Sequence, residues 1–255
     1  MEITRIKRQW ADGKPALNGW LGGPSPFNAE IMAHSGICSV TIDMQHGLID
    51  FSDAVRMLTA TKGLDVTRIV RVPSLDAAII GKVLDAGADG VICPLVNTPA
   101  QAADLVAACR YPPDGRRSYG PFRAGLVHGP DYFDKARGRS LAFAMIETAE
   151  ALENLNAIAA TPGLDALFVG PADLSISLGH PPGFAPDADV VVKAIERIAQ
   201  AAKDAGIHAG IFTGGPDYAR TVIGQGYTFV TIAKDGIVLA AGTGAAVAAM
   251  KDLTD

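Results

Sequence analysis

Two acidic side chains each follow a short apolar run in the second half of the sequence. The run 141–146 ends on Glu147, and the run 167–169 leads through a Gly-Pro turn to Asp173. The carboxyl ends of neighbouring parallel strands lie on one face, and carboxylate oxygens there suit a divalent cation. Taken singly, Glu147 is more simply a solvated strand end and Asp173 a helix cap. Their repetition on successive runs favours a metal site.

The turn after the second run has the features of an anion-binding site. Pro171 lacks an N–H and restricts Gly170, so the strand must end there. We expect Asp173 to cap a helix, which leaves the N–H groups of Ala172 and Asp173 free. An anion is favoured at such a helix start. Gly170, Pro171, Ala172 and Asp173 are therefore candidate substrate-binding residues.

A candidate proton-transfer group follows the apolar run 39–43. Asp43 ends this run, and Gln45 and His46 lie in the next loop. A histidine at such a place can exchange a proton near neutral pH, and Asp43 could orient its ring. The alternative is an ordinary surface histidine, the commoner fate of a single loop histidine. The carboxylates and Arg71 at neighbouring strand ends favour a functional role.

Arg71 ends the apolar run 66–71. A buried guanidinium needs an anionic partner, because an unpaired buried charge is costly. The sequence leaves that partner open. It is Glu147 or Asp173 in a structural ion pair, or else a substrate carboxylate or developing enolate, which the forked geometry suits.

Eight apolar runs alternate with helical patterns along the chain. The expected strands are 18–21, 39–43, 66–71, 90–93, 141–146, 167–169, 207–212 and 229–232. The expected helices are 26–33, 52–61, 76–85, 99–109, 149–160, a short one after Asp173, 189–205, 215–224 and 235–250. A short helix over 2–16 is expected ahead of them, and an arginine-rich loop over 111–140.

This alternation predicts an α/β protein, a single (β/α)8 TIM barrel domain over residues 1–255. The alternative, a doubly wound open sheet, normally carries a glycine-rich fingerprint after its first strand, and Gly22-Gly23 is too short for one.

The composition excludes several partners. A net charge of −5 offers no basic footprint for nucleic acid or an anionic membrane, and no apolar run approaches the ~20 residues of a membrane span. The start of the sequence lacks the apolar core of a signal peptide. Three cysteines without metal-ligand spacing fit a reducing cytoplasm.

Five motifs carry a resemblance to a known family. In chain order they are Asp43-x-x-His46-Gly47, Val70-Arg71-Val72-Pro73, Leu84-Asp85-x-Gly87-Ala88, Ile146-Glu147-Thr148 and Gly170-Pro171-Ala172-Asp173-Leu174-Ser175. In this order and spacing the sequence resembles the HpcH/HpaI family of class II, metal-dependent pyruvate aldolases. It is similar to 4-hydroxy-2-oxoheptanedioate aldolase and 2-dehydro-3-deoxyglucarate aldolase. The resemblance covers almost the whole chain, and the last motif is its most specific part.

The resemblance implies a (β/α)8 barrel with Mg²⁺, Mn²⁺ or Co²⁺ on Glu147 and Asp173. A 2-oxo acid would chelate that ion through its keto oxygen and carboxylate. The backbone at Ala172 and Asp173 would hold the carboxylate, as the turn already suggests.

The resemblance also implies that Arg71 stabilises an enolate and that His46 acts as a base through a water molecule. Asp85 would raise the basicity of His46. Two positions depart from the family pattern, because Gln45 replaces a usual glutamate and Met145 a usual glutamine. We expect these changes to alter the specificity of the pocket.

The main functional hypothesis is a lyase that cleaves 4-hydroxy-2-oxo acids to pyruvate or hydroxypyruvate plus an aldehyde. Alternatives on the same site are a 2-oxo diacid decarboxylase and an acyl-CoA lyase. A further alternative is a non-catalytic barrel that binds oxo acids. Lys234, just after the last expected strand, is the best candidate for a rival imine-forming aldolase.

The position of Asp85 predicts an oligomer. Asp85 ends the helix after the third strand, at the face of the barrel opposite His46, about a strand length (~17–20 Å) away. If Asp85 serves His46, a second subunit must supply it. The small side chains of 240–249 would let another chain approach, or would simply pack that helix on its own barrel. We expect a symmetric homo-oligomer, a hexamer by the resemblance.

Overall fold

The computed structural model describes residues 3–253 and shows a closed barrel of parallel strands, paired in chain order, with β8 returning to β1. The strands are β1 (Ala16–Leu21), β2 (Ser39–Asp43), β3 (Thr67–Arg71), β4 (Gly90–Cys93), β5 (Leu141–Ile146), β6 (Ala166–Val169), β7 (His208–Phe212) and β8 (Phe229–Lys234). The (β/α)8 fold predicted from the sequence is confirmed.

The helices surround the barrel and connect its strands. They are α1 (Arg5–Ala11), α2 (Pro26–His34), α3 (Phe51–Ala60), α4 (Ala77–Asp85), α5 (Pro99–Cys109), α6 (Phe122–His128), α7 (Tyr132–Arg139), α8 (Ala149–Glu153), α9 (Leu155–Ala159), α10 (Pro171–Ser177), α11 (Asp189–Asp204), α12 (Pro216–Gly224) and α13 (Asp235–Ala248). A 3-10 turn, Lys251–Leu253, follows. Across residues 3–253, no helix combines the length and apolar character that crossing a membrane requires.

The strands are short and apolar because both of their faces are buried. One set of side chains packs outward against the helices, around Val40, Val91 and Val169. The other set fills the barrel interior with large side chains such as Phe143, Phe168 and Phe229. Burial on both faces removes the polar alternation that a half-exposed strand shows. A filled interior gives the carboxyl ends of the strands a rigid base.

Helix α1 closes the bottom of the barrel, where the strands begin. Trp10 stacks on His208 with ring centroids 3.6 Å apart, and its Nε1 donates to the Thr228 carbonyl at 3.0 Å. The amide of Ile6 donates to Thr67 Oγ1. The helix is shorter than the segment 2–16 expected from the sequence, because the chain turns at Asp12 to enter β1.

The segment 111–140 differs from the expected loop, since it contains α6 and α7. Arg117 organises it: Nη2 donates to Asp85 Oδ1 at 2.6 Å and Nη1 to Tyr132 Oη at 3.1 Å. The guanidinium also lies 4.6 Å from the centre of the Tyr111 ring. Short helices interrupted by glycine and proline show little periodicity, so only these tertiary contacts reveal them.

A buried cluster of charges ties the end of this segment to the barrel. Asp89, just before β4, accepts hydrogen bonds from Arg68 Nε at 3.2 Å and Arg139 Nε at 2.8 Å. Arg68 is buried in this pairing. Arg68 lies in β3, Asp89 just before β4 and Arg139 just before β5. The cluster therefore joins three neighbouring strands at the lower face of the barrel.

Helix α13 differs from the other barrel helices in its burial. None of its residues is buried, and its apolar side chains Val238, Leu239 and Val247 are 56–68% exposed. An apolar groove of about 500 Å³ lies between this helix, α2 and the paired strands β1 and β8. The helix therefore leaves its own barrel partly uncovered.

Candidate active site

Asp43, at the end of β2, is the centre of the polar network at the barrel mouth. Its carboxylate is 1% exposed and accepts five hydrogen bonds. Two come from the backbone N–H groups of Gln45 and His46, at 3.0 and 3.2 Å. One comes from Trp20 Nε1 at 3.1 Å. The other two come from Arg71.

Arg71, at the end of β3, forms a forked ion pair with this carboxylate. Nε and Nη2 donate to the two Asp43 oxygens at 2.9 and 2.6 Å. Burial alone would raise the pKa of Asp43, but the hydrogen bonds and charge of Arg71 outweigh it and hold that pKa below its usual range. Of the alternatives that the sequence left open, the structural ion pair with Glu147 or Asp173 is corrected to one with Asp43.

The other face of the Arg71 guanidinium is also held in place. Its central carbon lies 4.8 Å from the centre of the Trp20 ring, a favourable stacking position. Nη1 takes part in none of the hydrogen bonds within residues 3–253. This atom is available to an oxygen bound in the adjacent cavity.

Asp43 binds the backbone of His46, whereas the sequence suggested that it orients the ring. Gly47 allows the close turn that follows, since a Cβ there would collide with the Asp43 carbonyl. The His46 side chain is exposed and borders the cavity. The loop is therefore fixed through its backbone, and the imidazole is left free to meet another group.

Glu147, at the end of β5, is buried beside the turn that carries Asp173. Burial raises the pKa of Glu147 to about 7, the N–H of Leu95 opposes this rise, and the charge of Asp173 adds to it. The Leu95 N–H donates to Glu147 Oε1 at 2.8 Å. Gly170 is needed here, because a Cβ would lie 2.5 Å from Glu147 Oε2.

The turn after β6 leads into a helix as expected, but the helix begins earlier than the sequence suggested. Gly170 is the N-cap of α10, Pro171 is its first residue, and Asp173 lies in the first turn. Asp173 is therefore not the cap that the sequence suggested. The N–H groups of Ala172 and Asp173 still lie in the first turn, where no helical carbonyl can accept from them. Their anion-binding role stays a prediction.

These elements border a cavity of about 270 Å³ at the carboxyl ends of the strands. Of the predicted residues, its lining contains His46, Arg71, Met145, Gly170, Pro171, Ala172 and Asp173. Asp43 lies behind Arg71, and Glu147 is buried against Gly170. Gln45 does not line the cavity, and its Oε1 is buried without a hydrogen-bond partner within residues 3–253. Asp85 lies at the opposite face, on Arg117.

The sequence reasoning missed three aromatic residues that line the cavity, Trp20, Phe184 and Phe212. Trp20 and Phe212 belong to the ends of β1 and β7, so the rule that function gathers at strand ends could have found them. Phe184 lies in the segment between α10 and α11, where no pattern in the sequence points to the cavity. Lys234, noted as a possible imine-forming residue, also lines it.

Comparisons with known proteins agree with this fold. Residues 18–241 match the family model described as HpcH/HpaI aldolase/citrate lyase. The chain is 41% identical to a hydroxypyruvate/pyruvate aldolase of Rhizorhabdus wittichii over 94% of this chain and 95% of the relative. It is 37% identical to a protein of the same name from Deinococcus radiodurans, over 97% of this chain and 90% of that one.

A solved structure shows the same architecture. A crystal structure of an HpcH/HpaI aldolase/citrate lyase family protein from Burkholderia cenocepacia superimposes with a TM-score of 0.89 at 34% identity. The match covers 96% of this chain and 98% of that one. The fold and these similarities define a barrel lyase. The chain belongs to the HpcH/HpaI aldolase/citrate lyase family, and its assignment as an aldolase, a carbon–carbon lyase, is confirmed.

The contacts of Arg71 indicate that a positive charge alone, without the guanidinium shape, cannot support catalysis. Arg71→Lys keeps a cation but loses the fork on Asp43 and the stacking on Trp20. We expect a loss of about 2–4 kcal/mol of transition-state stabilisation, as for other oxyanion donors, seen as reduced kcat/KM in an aldol-cleavage assay. Arg56→Lys on the exposed face of α3 is the control and should keep full activity. Equal kcat/KM values in the two variants would show that the guanidinium of Arg71 takes no part in the reaction.

Proposed function

We propose that this chain is a divalent-metal-dependent aldolase that reversibly cleaves 4-hydroxy-2-oxo acids to pyruvate or hydroxypyruvate plus an aldehyde. The observation that carries the proposal is the convergence of Arg71, His46, Asp173 and the start of α10 on one small cavity. Similarity to hydroxypyruvate/pyruvate aldolases supports the same substrate class. We propose further that residues 1–255 form one catalytic domain that acts in the cytoplasm.

The donor set fits a divalent cation. Glu147 and Asp173 would be its protein ligands, as the family resemblance implies. They would be the only two, because no group of three or more His, Cys, Asp and Glu within residues 3–253 could hold a metal ion. Burial raises the pKa of Glu147 and the negative charge of Asp173 adds to the rise, so a cation between the two carboxylates would relieve their repulsion. Their hard oxygen atoms suit Mg²⁺, Mn²⁺ or Co²⁺, with water and substrate oxygens completing the coordination shell. Bound there, the cation would supply Lewis-acid polarisation of the substrate's keto oxygen.

The chain's own residues would orient the substrate. The N–H groups of Ala172 and Asp173 in the first turn of α10 would hold the carboxylate of the 2-oxo acid. Nη1 of Arg71 would donate to the C2 oxygen, which gains negative charge as the reaction proceeds. Met145, on the floor of the cavity, cannot donate a hydrogen bond, so it would shape the pocket by its volume.

His46 would move the proton. In the cleavage direction it removes the proton of the C4 hydroxyl through a water molecule, the C3–C4 bond breaks, and an aldehyde forms. The electron pair of that bond passes to C2–C3 and increases the negative charge on the C2 oxygen. Protonation of C3 then yields the 2-oxo acid product. Addition follows the same steps in reverse.

Removal of the metal ligands tests the metal directly. We expect Glu147→Gln to weaken Mn²⁺ binding, measured by titration calorimetry, at least about tenfold, since a neutral amide replaces an anionic ligand. Aldol cleavage should be lost while the circular dichroism spectrum is retained. Glu153→Gln, an exposed position on α8, is the control. Full activity in chelator-treated wild-type protein would refute metal dependence.

We also propose a homo-oligomer, a hexamer as the family resemblance implies, with active sites shared between chains. Asp85 lies at the bottom face with its side chain 28% exposed. Arg117 holds its Oδ1, while Oδ2 takes part in no hydrogen bond within residues 3–253. Phe122 and Leu126, on α6, which packs against the helix that ends at Asp85, are 82% and 66% exposed. An apolar surface around an available carboxylate supports contact with the exposed His46 of another copy.

Helix α13 supports the same assembly. It is apolar, its residues 236–248 are exposed, and it borders the apolar groove beside α2 and the paired strands β1 and β8. Leaving so much apolar surface in water is unfavourable, and a second copy of this chain would cover it. Of the two roles that the sequence left open for 240–249, the exposure of α13 supports contact with another subunit.

Mixed oligomers test the sharing of sites. His46→Ala and Asp85→Ala should each be inactive alone, and co-refolded at equal amounts they should recover about a quarter of wild-type activity, because some sites regain both residues. As a control, His46→Ala mixed with Arg71→Lys should recover nothing, since both residues come from one chain. A fully active monomer in sedimentation, or no recovery in the first mixture, would contradict shared sites.

A further inference from the structure

Lys234 is a cation at the cavity to which the proposed reaction gives no role. It ends β8, is half-buried, and lines the cavity together with Trp20, Phe184 and Phe212. Trp20 is its register partner on β1. Three aromatic side chains around one lysine would enclose a short carbon chain and leave the ammonium at one end.

Lys234 is also without a partner. None of the side-chain hydrogen bonds or ion pairs within residues 3–253 involves its ammonium group. The adjacent carboxylate of Asp235 is already used, since its oxygens accept from the backbone N–H groups of Gly22 and Gly23 at 3.0 and 2.9 Å. No ion pair joins the Lys234 ammonium to Asp235 within residues 3–253, so the ammonium can pair with an anion in the cavity.

The strand order separates Lys234 from the groups that hold the 2-oxo acid. Arg71, Glu147 and Asp173 belong to β3, β5 and the turn after β6. Phe212, Lys234 and Trp20 belong to β7, β8 and β1, which pair in that order around the barrel. Trp20 lies where the two sets meet, since its ring stacks on Arg71. With a 2-oxo acid held by the first set, the part of the cavity beside Phe212 and Lys234 remains for the aldehyde.

We infer that Lys234 binds an anionic group at the far end of the aldehyde, and that the enzyme prefers aldehydes carrying a terminal carboxylate or phosphate. This inference rests on the proposed function and specifies its second substrate. A cavity of about 270 Å³ limits that substrate to a short chain. Trp20 and Phe212 pack against its carbons, and the ammonium pairs with its terminal oxygens.

Selectivity between charged and neutral aldehydes tests the inference. With pyruvate as donor, kcat/KM is measured for succinic semialdehyde against butanal, and for glyceraldehyde 3-phosphate against glyceraldehyde. Lys234→Met should lower the charged-to-neutral ratio about 10–100-fold, the effect of losing one charge-assisted hydrogen bond. The pair that responds identifies carboxylate or phosphate as the group bound. Lys234→Arg should retain most of the wild-type ratio.

Lys193→Met, exposed on α11, is the matched control, because it removes the same charge far from the cavity. Ratios in Lys234→Met that equal those of this control in both pairs would overturn the inference. So would borohydride reduction in the presence of pyruvate that attaches pyruvate to Lys234, since this would make it an imine-forming residue.

A binding measurement separates this inference from the proposed function. Succinate and inorganic phosphate, titrated without any donor, should bind Lys234→Met at least about threefold more weakly than wild type for the anion that is recognised. Equal affinities for both anions contradict the inference even in an enzyme that turns over. Absence of turnover with every aldehyde contradicts the proposed function alone.

Discussion

The buried ion pair between Asp43 and Arg71 is the interaction on which the rest of the site depends. Charges removed from water are costly unless each lone pair and proton finds a partner. Here one carboxylate accepts five hydrogen bonds, and the guanidinium adds stacking on Trp20. The cost of burial is thereby offset, and the same contacts fix three neighbouring groups. Arg71, the backbone of the His46 loop and the Trp20 ring all take their positions from Asp43.

The second constraint is the placement of Glu147 and Asp173 without a neutralising side chain. Glu147 is buried and receives one N–H, from Leu95, whose φ of 54° is the one non-glycine value in the left-handed region within residues 3–253. Such a conformation costs about 1–3 kcal/mol and persists where the surrounding structure requires it. The strained backbone of Leu95 and the raised pKa of the Glu147 carboxyl group therefore occur at the same place. Both are typical of a site whose stability is completed by a ligand.

Sequence reasoning predicted the features that depend on local periodicity and on strand ends. The barrel, the positions of Arg71, Glu147 and Asp173, and the location of Asp85 at the bottom of its helix all follow from where apolar runs stop. The rule works because parallel strands point the same way, so their ends share one face.

Features that depend on contacts between distant segments were not predicted. Asp43 and Arg71 are both strand-end residues, but only the register of β2 against β3 makes them partners. The helices α6 and α7 depend on Arg117 binding Asp85 and Tyr132, which are far apart in sequence. Phe184 reaches the cavity from a connecting segment. The exposure of α13 is likewise invisible in its sequence, since its composition suits either a buried or a shared surface.

A double-mutant cycle on Asp43 and Arg71 tests the central claim most directly. Unfolding free energies are measured for Asp43→Asn, Arg71→Gln and the double variant. Each single change leaves a buried charge unpaired, so we expect a cost of about 3–5 kcal/mol. The double variant should lose at least about 1.5 kcal/mol less than the sum of the two, because neither charge remains. Single costs that add to within about 0.5 kcal/mol would contradict a site organised around this ion pair.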